Sequence, residues 1–353
     1  MKATGSYTFL LAAVALWVLF GCSREYELQI LKPKVAMALT GAIHDRTKSG
    51  SIDPQPSGLP PKQMAIGVAM IDHDTATPDS DPPAEVAWNG AVEWKRAYFG
   101  GPGLKTGSAL ATFVPTNGEI SFTNDDGTAV NKVFYNDNGF YRFLRAFHPW
   151  EGAAVVPAVG GGVVLMPIDG SQDIICSNMV YGSAESKMSY TPPYVDKPLI
   201  FSHLLTKLNI RLVAEDAAAI VQYGKIMAIE VLDQPNMVSV NISSGLLEAA
   251  SSLAYPYGVV DFLANATLPA PAILNPEPFD DAVQFGYVMV VPAKTYTIRI
   301  ETELRLTFYV DVVFAAPADA GKAYNITLQF MVADEILIFA QEAPQWWLNS
   351  TFN

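Results

Sequence analysis

Between Thr297 and Phe314 the chain reads TIRIETELRLTFYVDVVF, and side-chain character alternates almost without a break. Ile298, Ile300, Leu304, Leu306, Phe308, Val310 and Val312 take the even positions, with Thr302 the polar exception. Thr297, Arg299, Glu301, Glu303, Arg305, Thr307, Tyr309 and Asp311 take the odd ones. Successive side chains of a strand point to opposite faces, so the stretch specifies one apolar and one hydrated face of an antiparallel sheet. It is longer than an ordinary strand of about 5–6 residues, and so predicts a bent strand or a hairpin. Parity restricts the hairpin: a two-residue loop moves the apolar set to odd positions, whereas a three-residue loop keeps it even. A loop at Glu301, Thr302 and Glu303, pairing Ile300 with Leu304, coincides with the polar break, although no Gly or Asn is there to take a left-handed conformation.

The same period of two recurs. Leu208, Ile210 and Leu212 alternate with Asn209 and Arg211, and Tyr324, Ile326, Leu328, Phe330 and Val332 alternate in turn. Residues 64–71, MAIGVAMI, form a continuous apolar run of the kind buried on both faces. Further strands are expected at 27–40, 224–232, 237–242 and 287–291, with 201–205 a short turn or strand. Asn136-Asp137-Asn138-Gly139 is a hairpin signal between 133–135 and 140–143. Residues 246–278, heavy in Ala and Pro, read as a surface loop. Gly and Pro number 25 each and punctuate the whole chain, and no short repeat is present. The expectation is an all-β protein. With half its residues hydrophobic and 16% charged, 353 residues suffice for one large or two ordinary domains.

Composition also excludes. A net charge of −13 without Lys/Arg clusters argues against nucleic acid. There is no GxSxG, HExxH, CxxC or P-loop, and Gly160-Gly161-Gly162 lacks dinucleotide-binding spacing. His44, His73, His148 and His203 are widely separated, which predicts neither a catalytic couple nor a metal set; His203, isolated among apolar residues, reads as structural. Residues 72–83 hold four aspartates but lack the glycine and distal Glu of a calcium loop, so no metal or cofactor is expected. Trp88 and Trp94 share parity and could form a sugar platform, though packing is the commoner fate of such residues.

At the start, Lys2 precedes an apolar run at 7–20 that ends Leu19-Phe20-Gly21-Cys22. This has the layout of a secretory signal, residues 1–21, and Cys22 after the glycine resembles the acylation site of bacterial lipoproteins. Lipid on Cys22 would attach the chain to a membrane leaflet. Cys176 is then the only other cysteine; it lies in an apolar run and reads as a buried, inert thiol. Residues 44–63 are polar and rich in Gly, Ser and Pro, a composition suited to proteolysis, and they contain Arg46 followed by Thr47.

Several phrases, in order, resemble one family. They are Cys22, Arg46 in its polar stretch, Phe143-Leu144-Arg145-Ala146-Phe147-His148-Pro149, Asp173-Ile174-Ile175, residues 198–208 (PLIFSHLLTKL), residues 321–328 (GKAYNITL), and the closing Glu335-Ile336 with Gln345-Trp346. The set resembles the fimbrillins and fimbrillin-like lipoproteins, subunits of type V pili. The resemblance implies two tandem transthyretin-like β-sandwich domains, at 64–196 and 197–353, preceded by a lipidated strand and linker at 22–63. It further implies an outer-membrane or cell-surface subunit, a trypsin-like cut between Arg46 and Thr47, loss of the strand at 27–40, and filling of its groove by a strand from a neighbouring subunit. Residues 335–352 are the donor on that reading. If 335–347 instead complete their own domain, the chain beyond Trp347 is short, and a tip or anchor role fits better than a stalk.

The expected function is therefore a non-enzymatic fimbrial subunit or accessory protein that assembles by donor-strand exchange and mediates adhesion. A monomeric surface lipoprotein that binds glycans through Trp88 and Trp94 is the alternative.

Overall fold

The computed structural model describes residues 39–43, 64–73, 92–99, 118–123, 135, 140–150, 154–156, 162–183, 190–191, 194–195, 199–248, 258–266, 274, 282–332 and 335–343. All of them lie in the second of two units, Val35–Asn353. The fold is all-β, as expected, with one short helix among the described residues.

The first strands are β1 (Leu39–Ile43), β2 (Met64–His73), β3 (Glu93–Phe99), β4 (Gly118–Thr123), β5 (Tyr141–His148), β6 (Ala154–Val156) and β7 (Val163–Pro167). They are followed by β8 (Ile175–Ser177), β9 (Val180–Gly182), the small hairpin β10 (Tyr190–Thr191) and β11 (Tyr194–Val195), and β12 (Leu199–His203). One sheet runs β2-β3-β4-β1-β12-β8-β5, and β5 pairs back onto β2, closing a ring; β9 joins β5 beside β8. Closure removes free edges, which open sheets otherwise present to other chains.

β2 is buried on both faces from Ile66 to Ile71, which is why its sequence runs apolar without alternating, and β5 is buried from Phe143 to Phe147 although it carries Arg145. Val68 and Met70 lie opposite Ala146 and Leu144 on one face. On the other, Ala69, Ile71, Phe143 and Phe147 join the main core together with Val164, Met166, Val238 and Val240. Gly67 is required by this packing: a Cβ there would lie 2.1 Å from Cζ of the buried Phe147 ring.

The remaining elements are β13 (Thr206–Ala214), α1 (Ala217–Tyr223), β14 (Ile226–Pro235), β15 (Met237–Asn241), β16 (Leu246–Glu248), β17 (Val259–Leu263) and β18 (Asn265–Ala266). The chain continues through β19 (Val283–Val290), β20 (Thr295–Thr302), β21 (Thr307–Val313), β22 (Ala323–Met331) and β23 (Glu335–Glu342). Two sheets, β18-β19-β13-β22-β23 and β17-β14-β20-β21, form a sandwich. Leu208, Ile210, Leu212, Ile326, Leu328 and Phe330 of one share a core with Ile229, Val231, Ile298, Ile300 and Val312 of the other. A fourth sheet, β16-β15-β7-β6, pairs β7 with β15 from Met237↔Pro167 to Asn241↔Val163. It thus joins chain from either side of Lys197.

The alternating run is a hairpin with its parity preserved, but its turn is displaced from Thr302. Ile300 pairs with Phe308, not Leu304, and Ile298 with Val310. Pairing along β14 (Ala228↔Glu301, Ile226↔Thr302) draws those two residues into the strand. The loop then closes further on, where the Leu306 amide donates to the Thr302 hydroxyl (3.2 Å) and Arg305 takes a φ of 60° without being glycine.

Two other expectations need correction. Residues 246–278 are not a plain loop, since they contribute β16, β17 and β18. Helix α1 has no counterpart among the elements expected from sequence. Asp216 caps it, accepting from the amides of Ala218 and Ala219 at 2.9 Å each, and Gly224 ends it at φ 68°. Tyr223 docks it: the ring is buried against Phe308 and Phe330, and the hydroxyl lies 3.0 Å from both the Met331 and Glu335 carbonyls.

Candidate assembly site at the β1 seam

β1 is the single strand between β4 and β12 in the ring. It runs antiparallel to β4 (Leu39↔Ile120, Thr40↔Glu119, Gly41↔Gly118) and parallel to β12 (Gly41↔Leu199, Ala42↔Ile200, Ile43↔Phe201). By comparison, β2 and β5 pair over residues Gly67 to His73, and β13 and β22 from Lys207 to Ala214. β1 is thus held over a shorter span on either flank than those core ladders. Its neighbours carry buried apolar residues, with Ile120 on β4 and Leu199 and Phe201 on β12. Withdrawing β1 would leave two strand edges with unpaired amides and carbonyls, next to apolar side chains. That combination is what an added β-strand satisfies.

Residues 27–40 are the stretch expected to supply this strand; Leu39 and Thr40 are in it, it extends to Ile43, and 27–38 lie outside the described residues. Cys22, Arg46, Thr47, His44 and Trp88 also lie outside them. Trp94 falls on β3 and His73 at the end of β2. Of the aspartate-rich loop only Asp72 and His73 are described; Asp72 pairs with Arg142 in a two-pronged contact, 2.7 Å to each of Nε and Nη2.

Cys176 is buried on β8, and burial pushes its thiol up to about 12, so it is protonated at neutral pH. His203 is buried at the end of β12, its Nδ1 against Oδ2 of Asp173, whose Oδ1 accepts from the Ile174 amide at 2.8 Å. Lys207 stands near this pair with its ammonium 4.7 Å from the centre of the Tyr287 ring; burial brings its pKa down to about 8, against an opposing pull from Asp173. This cluster ties β12 to β13 and the chain preceding β8. Sequence reasoning quotes the phrases that hold Asp173, His203 and Lys207 but not their meeting, because the contact of Asp173 with His203 depends on the pairing of β8 with β12.

A family model described as fimbrillin-like matches residues 65–346. A search of curated proteins found no match. Among solved structures, the chain is similar to a candidate cell adhesion protein from Bacteroides uniformis at 14% identity and a TM-score of 0.52, with 89% of this chain and 99% of that one covered. A candidate cell adhesion protein from Bacteroides ovatus is 16% identical with a TM-score of 0.52 and the same coverage. A fimbrial protein from Bacteroides vulgatus is 12% identical with a TM-score of 0.49, covering 87% of this chain and 98% of its own. At such identities the likenesses to the B. uniformis and B. ovatus structures speak to the fold alone; the family model, which spans most of the sequence, speaks to descent. The chain belongs to the fimbrillin-like family.

Proposed function

We propose that this protein is a cell-surface fimbrial subunit or accessory protein that works by non-covalent assembly and adhesion rather than by catalysis. The observation that carries the proposal is the position of β1, the strand that alone bridges β4 and β12 and ends three residues before Arg46. Family membership supports it, and the similar structures from B. uniformis and B. ovatus bear the description of cell adhesion proteins.

On this reading the chain is exported as a lipoprotein acylated at Cys22 and reaches the outer membrane. A trypsin-like protease then cuts between Arg46 and Thr47, freeing β1. The gap accepts a strand from a neighbouring subunit, which restores the ladders to β4 and β12, and repetition builds a head-to-tail assembly. β23 already pairs with β22 from Glu335 to Glu342, so a donated strand would come from chain beyond Ala343 unless β23 leaves its sheet. Sandwich domains at 64–196 and 197–353 belong to the same proposal.

The test is to determine the N-terminus of the protein at the cell surface and to compare polymer ladders of wild type and Arg46→Ala. Thr47 as the mature terminus, with ladders lost in the variant, is the expected result. Undiminished polymer in Arg46→Ala would refute strand exchange through this cut.

A further inference from the structure

Arg145 lies on β5 between Phe143 and Phe147, on the face that packs into the main core. It is 7% exposed, and neither Nε nor Nη1 finds a hydrogen-bond partner among the described residues. A guanidinium stays charged at any pH the fold survives, so it cannot escape burial by losing its proton. Burying such a charge without counter-charge or hydrogen bonds is among the more destabilising arrangements available to a core. The ionisable group that couples to it is the Cys176 thiol, which is neutral below about pH 12 and supplies no negative charge at pH 7.

What covers the guanidinium is the turn between β15 and β16. A Cβ on Gly245 would lie 2.5 Å from Nη1 of Arg145 and 3.1 Å from Cζ, so the bare glycine, at φ 76°, is what lets the turn lie over the charge. The polar groups of that turn serve the turn itself. The Gly245 amide donates to the Asn241 carbonyl (2.7 Å), and the Ser243 and Ser244 amides donate to Asn241 Oδ1 (2.7 and 3.2 Å). The Leu246 amide donates to the Ser244 hydroxyl (3.2 Å). On the other side, the Ser177 hydroxyl accepts from the Ala146 amide (2.8 Å) and donates to the Asn178 carbonyl (2.7 Å). These neighbouring donors and acceptors are engaged with one another, and Nε and Nη1 keep their hydrogen-bonding capacity for something outside this chain's described residues.

We propose that Arg145, roofed by Gly245, is the receptor of a small-oxyanion site, one that takes a carboxylate or phosphate group beneath the β15–β16 turn. Nε–H and Nη1 lie on opposite edges of the planar guanidinium and Gly245 stands against Nη1, so the oxyanion belongs on the Nε edge, where its oxygen accepts a charge-assisted hydrogen bond and neutralises the group. The occupant has to be small, because Arg145 is nearly all buried and the Gly245 turn already closes over its Nη1 side. It also has to be recognised at short range. The chain as a whole carries −13 and repels anions, and that field is screened beyond roughly 8 Å at physiological salt. The site is separate from the β1 seam and stands whether or not strand exchange occurs.

Calorimetric titration of the full chain with sodium phosphate and, separately, sodium acetate, at pH 7 and constant ionic strength held by sodium fluoride, tests the site. One-to-one saturable binding of at least one anion is expected, weakened at least tenfold in Arg145→Met. Phosphate binding the tighter marks a free tetrahedral anion as the occupant; acetate binding the tighter marks a carboxylate, such as a peptide group. Absence of saturable binding in wild type, or equal binding in Arg145→Met, overturns the proposal. Should Arg145→Met not fold by circular dichroism, Gly245→Ala replaces it: its methyl group displaces the guanidinium, and an unchanged affinity in that variant overturns the proposal equally.

Discussion

Removing the chain up to Arg46, so that the protein begins at Thr47, takes β1 out of the ring. β1 makes three residue pairs with β4 and three with β12, which corresponds to about five ladder hydrogen bonds. At about 0.5–1.5 kcal/mol net for each, their loss is worth roughly 2.5–7.5 kcal/mol. Partial exposure of Ile120, Leu199 and Phe201 adds to this, up to about 1.5–3 kcal/mol for any side chain that becomes fully wet. The sum is comparable with the whole stability of an ordinary domain, about 5–15 kcal/mol. Urea unfolding followed by intrinsic fluorescence should therefore show the truncated chain's midpoint lower by roughly 1–2 M than that of full-length Arg46→Ala. A peptide covering residues 35–43 should restore most of the difference, and a scrambled peptide should not. Equal midpoints for the two proteins would refute the idea that β1 closes the ring energetically as well as geometrically.

Single substitutions and pH probe the rest of the fold. Gly67→Ala drives a methyl group into the fully buried Phe147 ring and should destabilise by about 3 kcal/mol, seen as a lower urea midpoint. Tyr223→Phe strips the hydroxyl shared by the Met331 and Glu335 carbonyls and should cost about 1–3 kcal/mol by the same assay, loosening α1 from β22 and β23. Cys176, with its thiol near 12 when folded and 9 as the unperturbed value, should resist Ellman's reagent at pH 8 until denatured; because the folded thiol is the weaker acid, its contribution to stability fades as pH rises from about 9 towards 12. Lys207 runs the other way. Its folded pKa near 8 lies below the unperturbed 10.5, so it weighs against the fold below pH 8 and progressively less up to 10.5; the stability of wild type relative to Lys207→Met should rise across that window by on the order of 3 kcal/mol in pH-dependent urea melts.

Where one face of a strand is wet and the other dry, the sequence declares the strand plainly. β13, β22 and the β20–β21 hairpin are all legible from their period of two. The hairpin's turn is not, because its location is decided by β14, a strand some seventy residues earlier in the chain that pairs with Glu301 and Thr302. The three strands within 246–278 escape notice because they are short and their exposed Val259, Val260 and Leu263 break the alternation. α1 carries its signal in Asp216 and Gly224, but a run of seven residues is too brief for helical periodicity to register. For the candidate sites, Arg46 and the preceding strand can be picked out, whereas the partners of that strand cannot. Nothing local to β1 says that it lies parallel to β12. The same holds for Arg145, which reads in sequence as one charge in an apolar phrase until Gly245 is seen above it.

The pairing of β7 with β15 has a mechanical consequence. A fibre subunit transmits tension, and a chain whose distant stretches met only along the covalent backbone would extend between them first. Here Val163–Pro167 and Met237–Asn241 are zipped side by side, so a pull that draws these two stretches apart must break a ladder of backbone bonds rather than only straighten the chain between them. Such a splice spreads load over a sheet, which suits a component meant to stay intact while something tugs on its far end.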